Sequence, residues 1–282
     1  MNRRETLAAL GAGPLAARFP ATGHAASVSR PARDRLNFVL VHGTWLGGWI
    51  WAEVLPLLYA AGHRAYAPTL TGVGERAHLI SPDVGLETHI HDITGVIDAE
   101  ELTNVVLVGH SFSGIAATGA ADRRRDAIRK IIFYDAIIPV PGRMAGVMRD
   151  PATGQLPARF VEHARKFVDG YKMDFFADYP IRMLANDDEP ELQAHASRRI
   201  TLHPMRGWTD ELVVHNGGWN GLPRGLITCS GQKFSPSSDA MIGPAKTDPA
   251  FDVVNLPVSR LGMLSHPELV AQTLIAMGTR LR

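Results

Sequence analysis

Cysteine is nearly absent from this chain: 282 residues carry one, Cys229. A single thiol excludes an intramolecular disulfide and any cysteine-rich metal site. Within Leu226-Ile227-Thr228-Cys229 it reads as a small core residue. An excess of either charge is lacking too. The net charge is +1, so nothing electrostatic argues for nucleic acid or an anionic membrane as partner. Internal repeats and low-complexity tracts are absent. So is a phosphate-cradling loop, because Gly72-Val73-Gly74 has neither the third glycine nor a strand-to-helix context.

What is present suits one sizeable globular domain with an insertion, since 45% of the residues are hydrophobic. Monomer and homodimer both remain open. Residues 1–30 stand apart. Arg3-Arg4 precedes an uncharged stretch reaching Ala17, and small residues around Gly23-His24-Ala25-Ala26 offer a cleavage site. The stretch is too short to span a bilayer. This pattern is expected to be a twin-arginine export signal, which places the mature protein in the periplasm or outside the cell. A disordered basic tail is the alternative.

Beyond residue 35, strand and helix patterns alternate. Leu36–Val41, Arg64–Ala67, Asn104–Val108, Lys130–Tyr134, Gly225–Cys229 and Phe251–Val258 read as strands. Trp49–Ala61, Leu86–Leu102, Ile115–Arg125 and Pro267–Met277 read as helices, the last with Ser265 as N-cap. Such alternation implies an α/β fold, a mostly parallel sheet covered by helices on both faces, with its site at the carboxyl ends of the strands. His42, Ser111 and Asp135 all fall just past strand ends. Residues 141–215 break the rhythm and are expected to form a helical cap. The core is then 31–140 and 216–282.

Gly109-His110-Ser111-Phe112-Ser113-Gly114 carries the chemistry. A serine between a β-branched strand and a helix, flanked by small residues, can occupy the strained turn that exposes a nucleophilic oxygen. Ser113 stands where the second glycine of G-x-S-x-G would be. The loop His42-Gly43-Thr44-Trp45-Leu46-Gly47-Gly48 can offer backbone N–H groups to an oxyanion. Thr44 or Trp45 supplies one donor and Phe112 the other. His42 is read as a brace for this loop rather than a base. Trp208 and the other cap aromatics suggest an apolar pocket for a small apolar substrate. The twelve histidines include His89 and His91 beside Asp92, but two positions apart on a helix points side chains in different directions. Neither a metal nor a cofactor is expected.

Phe38-Val39-Leu40-Val41-His42-Gly43-Thr44-Trp45, followed by Gly48-Trp49-Ile50-Trp51, resembles the α/β-hydrolase branch of plant methylesterases and hydroxynitrile lyases. Thr71-Gly72-Val73-Gly74-Glu75-Arg76-Ala77-His78-Leu79 and Met263-Leu264-Ser265-His266-Pro267-Glu268 are similar to its bacterial members, the pyrethroid-hydrolase-like carboxylesterases. Asp135, followed by Pro139 and Gly142, also fits. The resemblance spans roughly residues 36–140 and 222–280. It implies the fold, a helical cap and an uncharged acyl or cyanohydrin-like substrate.

The resemblance also exposes two departures. The branch's base histidine would stand at Arg260 and its acid at Gln232. An arginine cannot act as a base. Two expectations follow. In one, Ser111 hydrolyses esters with His266 as a displaced base and Asp135 as its acid. In the other, the oxyanion hole and Arg260 serve a lyase, isomerase or cyclase by stabilising an enolate-like intermediate. A binding protein without catalysis is a third reading. His215, at the end of the cap, is a further candidate to reach over the pocket.

Overall fold

The computed structural model describes residues 35–139, 153, 155, 161–162, 165–177, 179–234 and 242–281. The expected export signal and part of the expected cap lie outside them. Six strands form one parallel sheet: β1 (Asn37–Val41), β2 (Arg64–Tyr66), β3 (Val105–His110), β4 (Ile128–Tyr134), β7 (Arg224–Cys229) and β8 (Phe251–Leu256), in the order β2-β1-β3-β4-β7-β8.

β1, β3 and β4 are buried along almost their whole length because both faces of the sheet's centre are covered, whereas β2 and β8 at its edges include exposed positions. Phe38 and Leu40 of β1 pack into one cluster, with Val106, Ile132 and Leu274, while Val39 and Val41 pack into another with Leu107, Ile131 and Ile90. Helices α1 (Val54–Ala60) and α7 (Pro267–Thr279) cover the first face; α2 (Leu86–Ala99) and α3 (Ser113–Arg123) cover the second. A strand buried on both sides needs near-continuous hydrophobicity, as in Phe38–Val41 and Val105–Val108.

Two expected details differ. A 3-10 turn (Gly48–Trp51) precedes α1 where one helix was expected. The N-cap of α7 is His266 rather than Ser265, with Pro267 in the first turn supplying the fixed φ that starts a helix.

Between β4 and β7 the described residues are not purely helical. A short antiparallel pair, β5 (Lys172–Met173) and β6 (His203–Pro204), flanks α4 (Pro190–Ser197), and α5 (Arg206–Thr209) follows. Two-residue strands carry no period, so the sequence gives no sign of them. A last short helix, α6 (Gly262–Ser265), leads into α7. Among the described residues no helix is long and apolar enough to cross a membrane.

Candidate active site

Three chain turns at the carboxyl edge of the sheet hold a non-glycine residue in the left-handed region: Trp45 after β1 (φ +64°), Ser111 after β3 (φ +55°) and Asp135 after β4 (φ +42°). Each costs on the order of 1–3 kcal/mol and persists because its surroundings over-determine it. The bonds that do so are visible. Ser111 N–H donates to Tyr134 O (3.1 Å), Ile137 N–H to Ser111 O (3.0 Å), and Asp135 N–H to Ile227 O (2.7 Å). His110 and Tyr134 are register partners, so the turns carrying Ser111 and Asp135 leave the sheet side by side.

The loop after β1 is bound to this turn. Ser113 Oγ donates to His42 O. The serine in the second glycine's place therefore adds a link that glycine could not make. Gly43 is required here, because a Cβ would lie 2.9 Å from Ser111 Cβ and 3.0 Å from His110 Nδ1. His42 is fully buried. Its Nδ1–H donates to Gly43 O (2.8 Å), and its Nε2 accepts Leu70 N–H (3.0 Å), which fixes one neutral tautomer. Burial pushes its pKa down to about 4. Its ring thus links the loop after β1 to Leu70.

Thr44 N–H and Phe112 N–H have no acceptor among the described bonds. Trp45 N–H does, donating to His203 Nδ1 at 3.4 Å. Of the two donors expected from this loop, Thr44 is therefore the one left free. Phe112 is buried, with Trp208 tilted against it (ring centroids 5.0 Å) and His203 edge-on (5.2 Å). Trp208 thus meets the serine turn from the cap.

Arg260 is buried and points inward. Its Nε donates to Asp135 Oδ2 at 2.5 Å, with the side chains 8% and 1% exposed, and its Nη1 reaches Met183 O at 3.5 Å. Its backbone N–H donates to Gln232 Oε1 (3.1 Å), and Gln232 Nε2 donates to Arg182 O (2.8 Å). Gln232 and Arg260 therefore form one structure: Gln232 holds the loop, and the loop delivers Arg260 to Asp135. Burial, helped by the Arg260 charge, lowers the pKa of neighbouring His110 to about 3. Burial, helped by the Asp135 charge, raises that of Cys229 to about 12, which leaves it an inert core thiol.

The other expected partners are elsewhere. His266 is exposed, and its Nδ1 contacts Ser265 Oγ (2.9 Å), while Asp135 is taken by Arg260. The expected His266–Asp135 pair does not form, because a buried carboxylate is satisfied by the nearer buried cation. His215 is exposed too. Its N–H donates to Asp122 Oδ2 (2.9 Å) in the last turn of α3. That turn lies at the far end of the 11-residue helix from Ser111, about 16 Å along its axis. His215 clips α3 rather than closing the pocket.

His89 is buried with Nε2 on Thr71 O (3.1 Å), whereas His91 is exposed beside Glu87. They diverge as helical spacing requires. Among the described residues no cluster of three metal-ligating side chains occurs. A cavity of about 380 Å³ lies between the Gly72–Ile80 loop and the cap, lined by Ile80, Asp174, Phe176, Ile200 and Leu202. None of its walls comes from Thr44, Ser111, Phe112, Asp135 or Arg260.

Comparison with known proteins agrees with this architecture. The sequence profile described as the alpha/beta hydrolase family matches residues 38–273, and the chain belongs to that family. A carbendazim hydrolyzing esterase from Nocardioides sp. (strain SG-4G) is 35% identical over 249 residues, covering 86% of this chain and 99% of that one. Methylesterase 1 of Arabidopsis thaliana is 28% identical over 221 residues, covering 72% and 81%. An extracellular alpha/beta-hydrolase from a Paenibacillus species superposes with a TM-score of 0.71 at 19% identity, covering 87% of this chain and all 100% of that one. The chain is an α/β-hydrolase of the esterase type.

Proposed function

We propose that this enzyme hydrolyses carboxylic esters of small, largely apolar molecules through Ser111. The observation that carries this reading is Ser111 held at φ +55° beside the acceptor-free N–H groups of Thr44 and Phe112. Donors fixed before reaction stabilise a developing oxyanion at no reorganisation cost. The apolar substrate follows from Phe112 and Trp208 at the turn. The esterase names of the relatives support the reaction class.

The triad is non-standard. Arg260 holds no proton-accepting site. Among the buried acceptors without a hydrogen-bond partner at this edge is Asp135 Oδ1. In this reading Ser111 Oγ bonds to the ester carbon as its proton passes to Asp135, and the carbonyl electrons move to oxygen facing Thr44 and Phe112. Collapse expels the alkoxide, which takes the proton. Water then attacks the acyl-serine through the same steps.

Fluorophosphonate labelling followed by intact mass tests this directly. Wild type should gain one adduct; Ser111→Ala and Asp135→Asn should lose it; His266→Ala should keep it. An unlabelled wild type would sink the hydrolytic reading. The second reading would then stand: a lyase or isomerase in which the buried Arg260 guanidinium, at the base's position, stabilises an enolate. For residues 1–30 we propose export through a twin-arginine signal, tested by fractionating cells that express wild type and Arg3→Lys/Arg4→Lys.

A further inference from the structure

Every polar atom of Trp45 is bound to the cap. Its N–H donates to His203 Nδ1 (3.4 Å), its indole Nε1–H to Met173 O (3.0 Å), and its carbonyl accepts Thr201 N–H (3.1 Å). These partners lie on β5, on β6 and just before it. The left-handed φ of Trp45 is unfavourable for a bulky side chain and needs such holding. Thr44 therefore sits between two anchors: His42, fixed from the serine turn by Ser113, and Trp45, fixed from the cap.

The imidazole of His203 is specified in detail. Accepting at Nδ1 requires that its hydrogen be on Nε2 while the ring is neutral. The ring is fully buried, and burial holds its pKa well below the ordinary histidine range. His89 has the complementary state. Its Nε2 faces a carbonyl, Thr71 O, so its hydrogen is on Nε2 and its Nδ1 is a buried lone pair without a partner. The rings are 5.5 Å apart and meet at Gly207, where a Cβ would lie 3.2 Å from His203 Nε2 and 3.2 Å from His89 Cε1. Among the described residues neither His203 Nε2 nor His89 Nδ1 has a hydrogen-bond partner, so the bond from Trp45 N–H to Nδ1 is what assigns the hydrogen of His203 to Nε2.

We propose that His203 is a positioning residue for the oxyanion loop: as a neutral Nε2–H imidazole reaching from the cap, it holds Trp45 and so aims Thr44 N–H. The inference rests on reading Thr44 and Phe112 as the oxyanion donors. Its test separates the clamp from the chemistry. Nitrogen-15 NMR of wild type at pH 7 should show His203 protonated at Nε2 and bare at Nδ1; a proton on Nδ1 would overturn the proposal without any variant. In His203→Leu, exchange of the Trp45 amide hydrogen should speed up by about tenfold or more. The kcat on p-nitrophenyl acetate should fall by about tenfold to a hundredfold with little change in KM. His203→Asn, which keeps an acceptor at the δ position, should recover most of both; unchanged Trp45 exchange in His203→Leu would refute the clamp. A wild type inert to the ester would remove the esterase reading, while tautomer and exchange would still decide the clamp. Should the leucine variant not fold, the tautomer and the asparagine variant decide it.

Discussion

Arg260 Nε and Asp135 Oδ2 meet at 2.5 Å inside the protein, joining the strand turn after β4 to the loop after β8. The charges are 125 residues apart in sequence and neither is solvated. A buried pair gains little over apolar packing, but breaking it by removing one member strands the other. Arg260→Ala should therefore cost about 3–5 kcal/mol in urea unfolding. Asp135→Ala/Arg260→Ala should cost clearly less than the two single changes added together. Additive losses would show that the two side chains do not depend on each other.

The same proximity predicts a gain of function. An imidazole at position 260 would have Asp135 within reach as its orienting acid, and Gln232 would still hold the backbone there. Arg260→His alone should then raise the rate of fluorophosphonate labelling at Ser111 by about 10²–10⁴, the usual contribution of a general base. Adding Gln232→Asp should bring no further gain, because the side chain, one methylene shorter, draws its acceptor oxygen away from residue 260 N–H. If only the double change activates Ser111, the acid belongs at 232 and Asp135 is structural.

Ser113 should matter more than a spacer would. Ser113→Ala leaves His42 O without its hydroxyl donor in a site closed to water, which costs about 1–3 kcal/mol. It also frees the loop that carries Thr44. Ester turnover should fall through kcat while the melting temperature drops by a few degrees. Ser113→Gly should behave like Ser113→Ala, since both lack the hydroxyl; full activity in the glycine variant would show the link to be dispensable.

These links show where the sequence is informative. The sheet strands and main helices are legible because apolar runs and helical periods are local signals, and each strand of the six-stranded sheet overlaps its expected range. The turn at Ser111 between β3 and α3 is legible for the same reason, as it is set by a few adjacent residues. Asp135 and Arg260 each stand out singly, yet their pairing depends on how β4 and β8 terminate across the sheet. His203 gives no signal at all: a histidine between a leucine and a proline looks like surface until β5 and β6 bring it to Trp45. His266 misleads by lying within the Met263–Glu268 segment that carries the resemblance, although the start of α7 leaves it exposed to solvent.

Acid should destabilise this protein well before its carboxylates titrate. Burial lowers the pKa of His42 to about 4 and of His110 to about 3, and lowers those of His89 and His203 as well. Above pH 6.5 these rings are neutral in both folded and unfolded chains, and their linkage contribution is nil. Below it, the unfolded chain binds protons that the folded chain refuses, so unfolding becomes easier as pH falls. The loss grows from pH 6.5 until each folded pKa is reached, and for His42 alone it is about 2 kcal/mol at pH 5. Carboxylates with lowered pKa values lose their contribution only below about pH 5, so a comparison between pH 7.5 and pH 5 isolates the histidines. The urea midpoint should drop clearly over that interval, and His110→Leu should make the drop shallower by removing one proton from the balance. An equal midpoint at both pH values would mean that these rings take up protons in the folded state, and the neutral braces on His42 and Trp45 could not then be what holds the oxyanion loop.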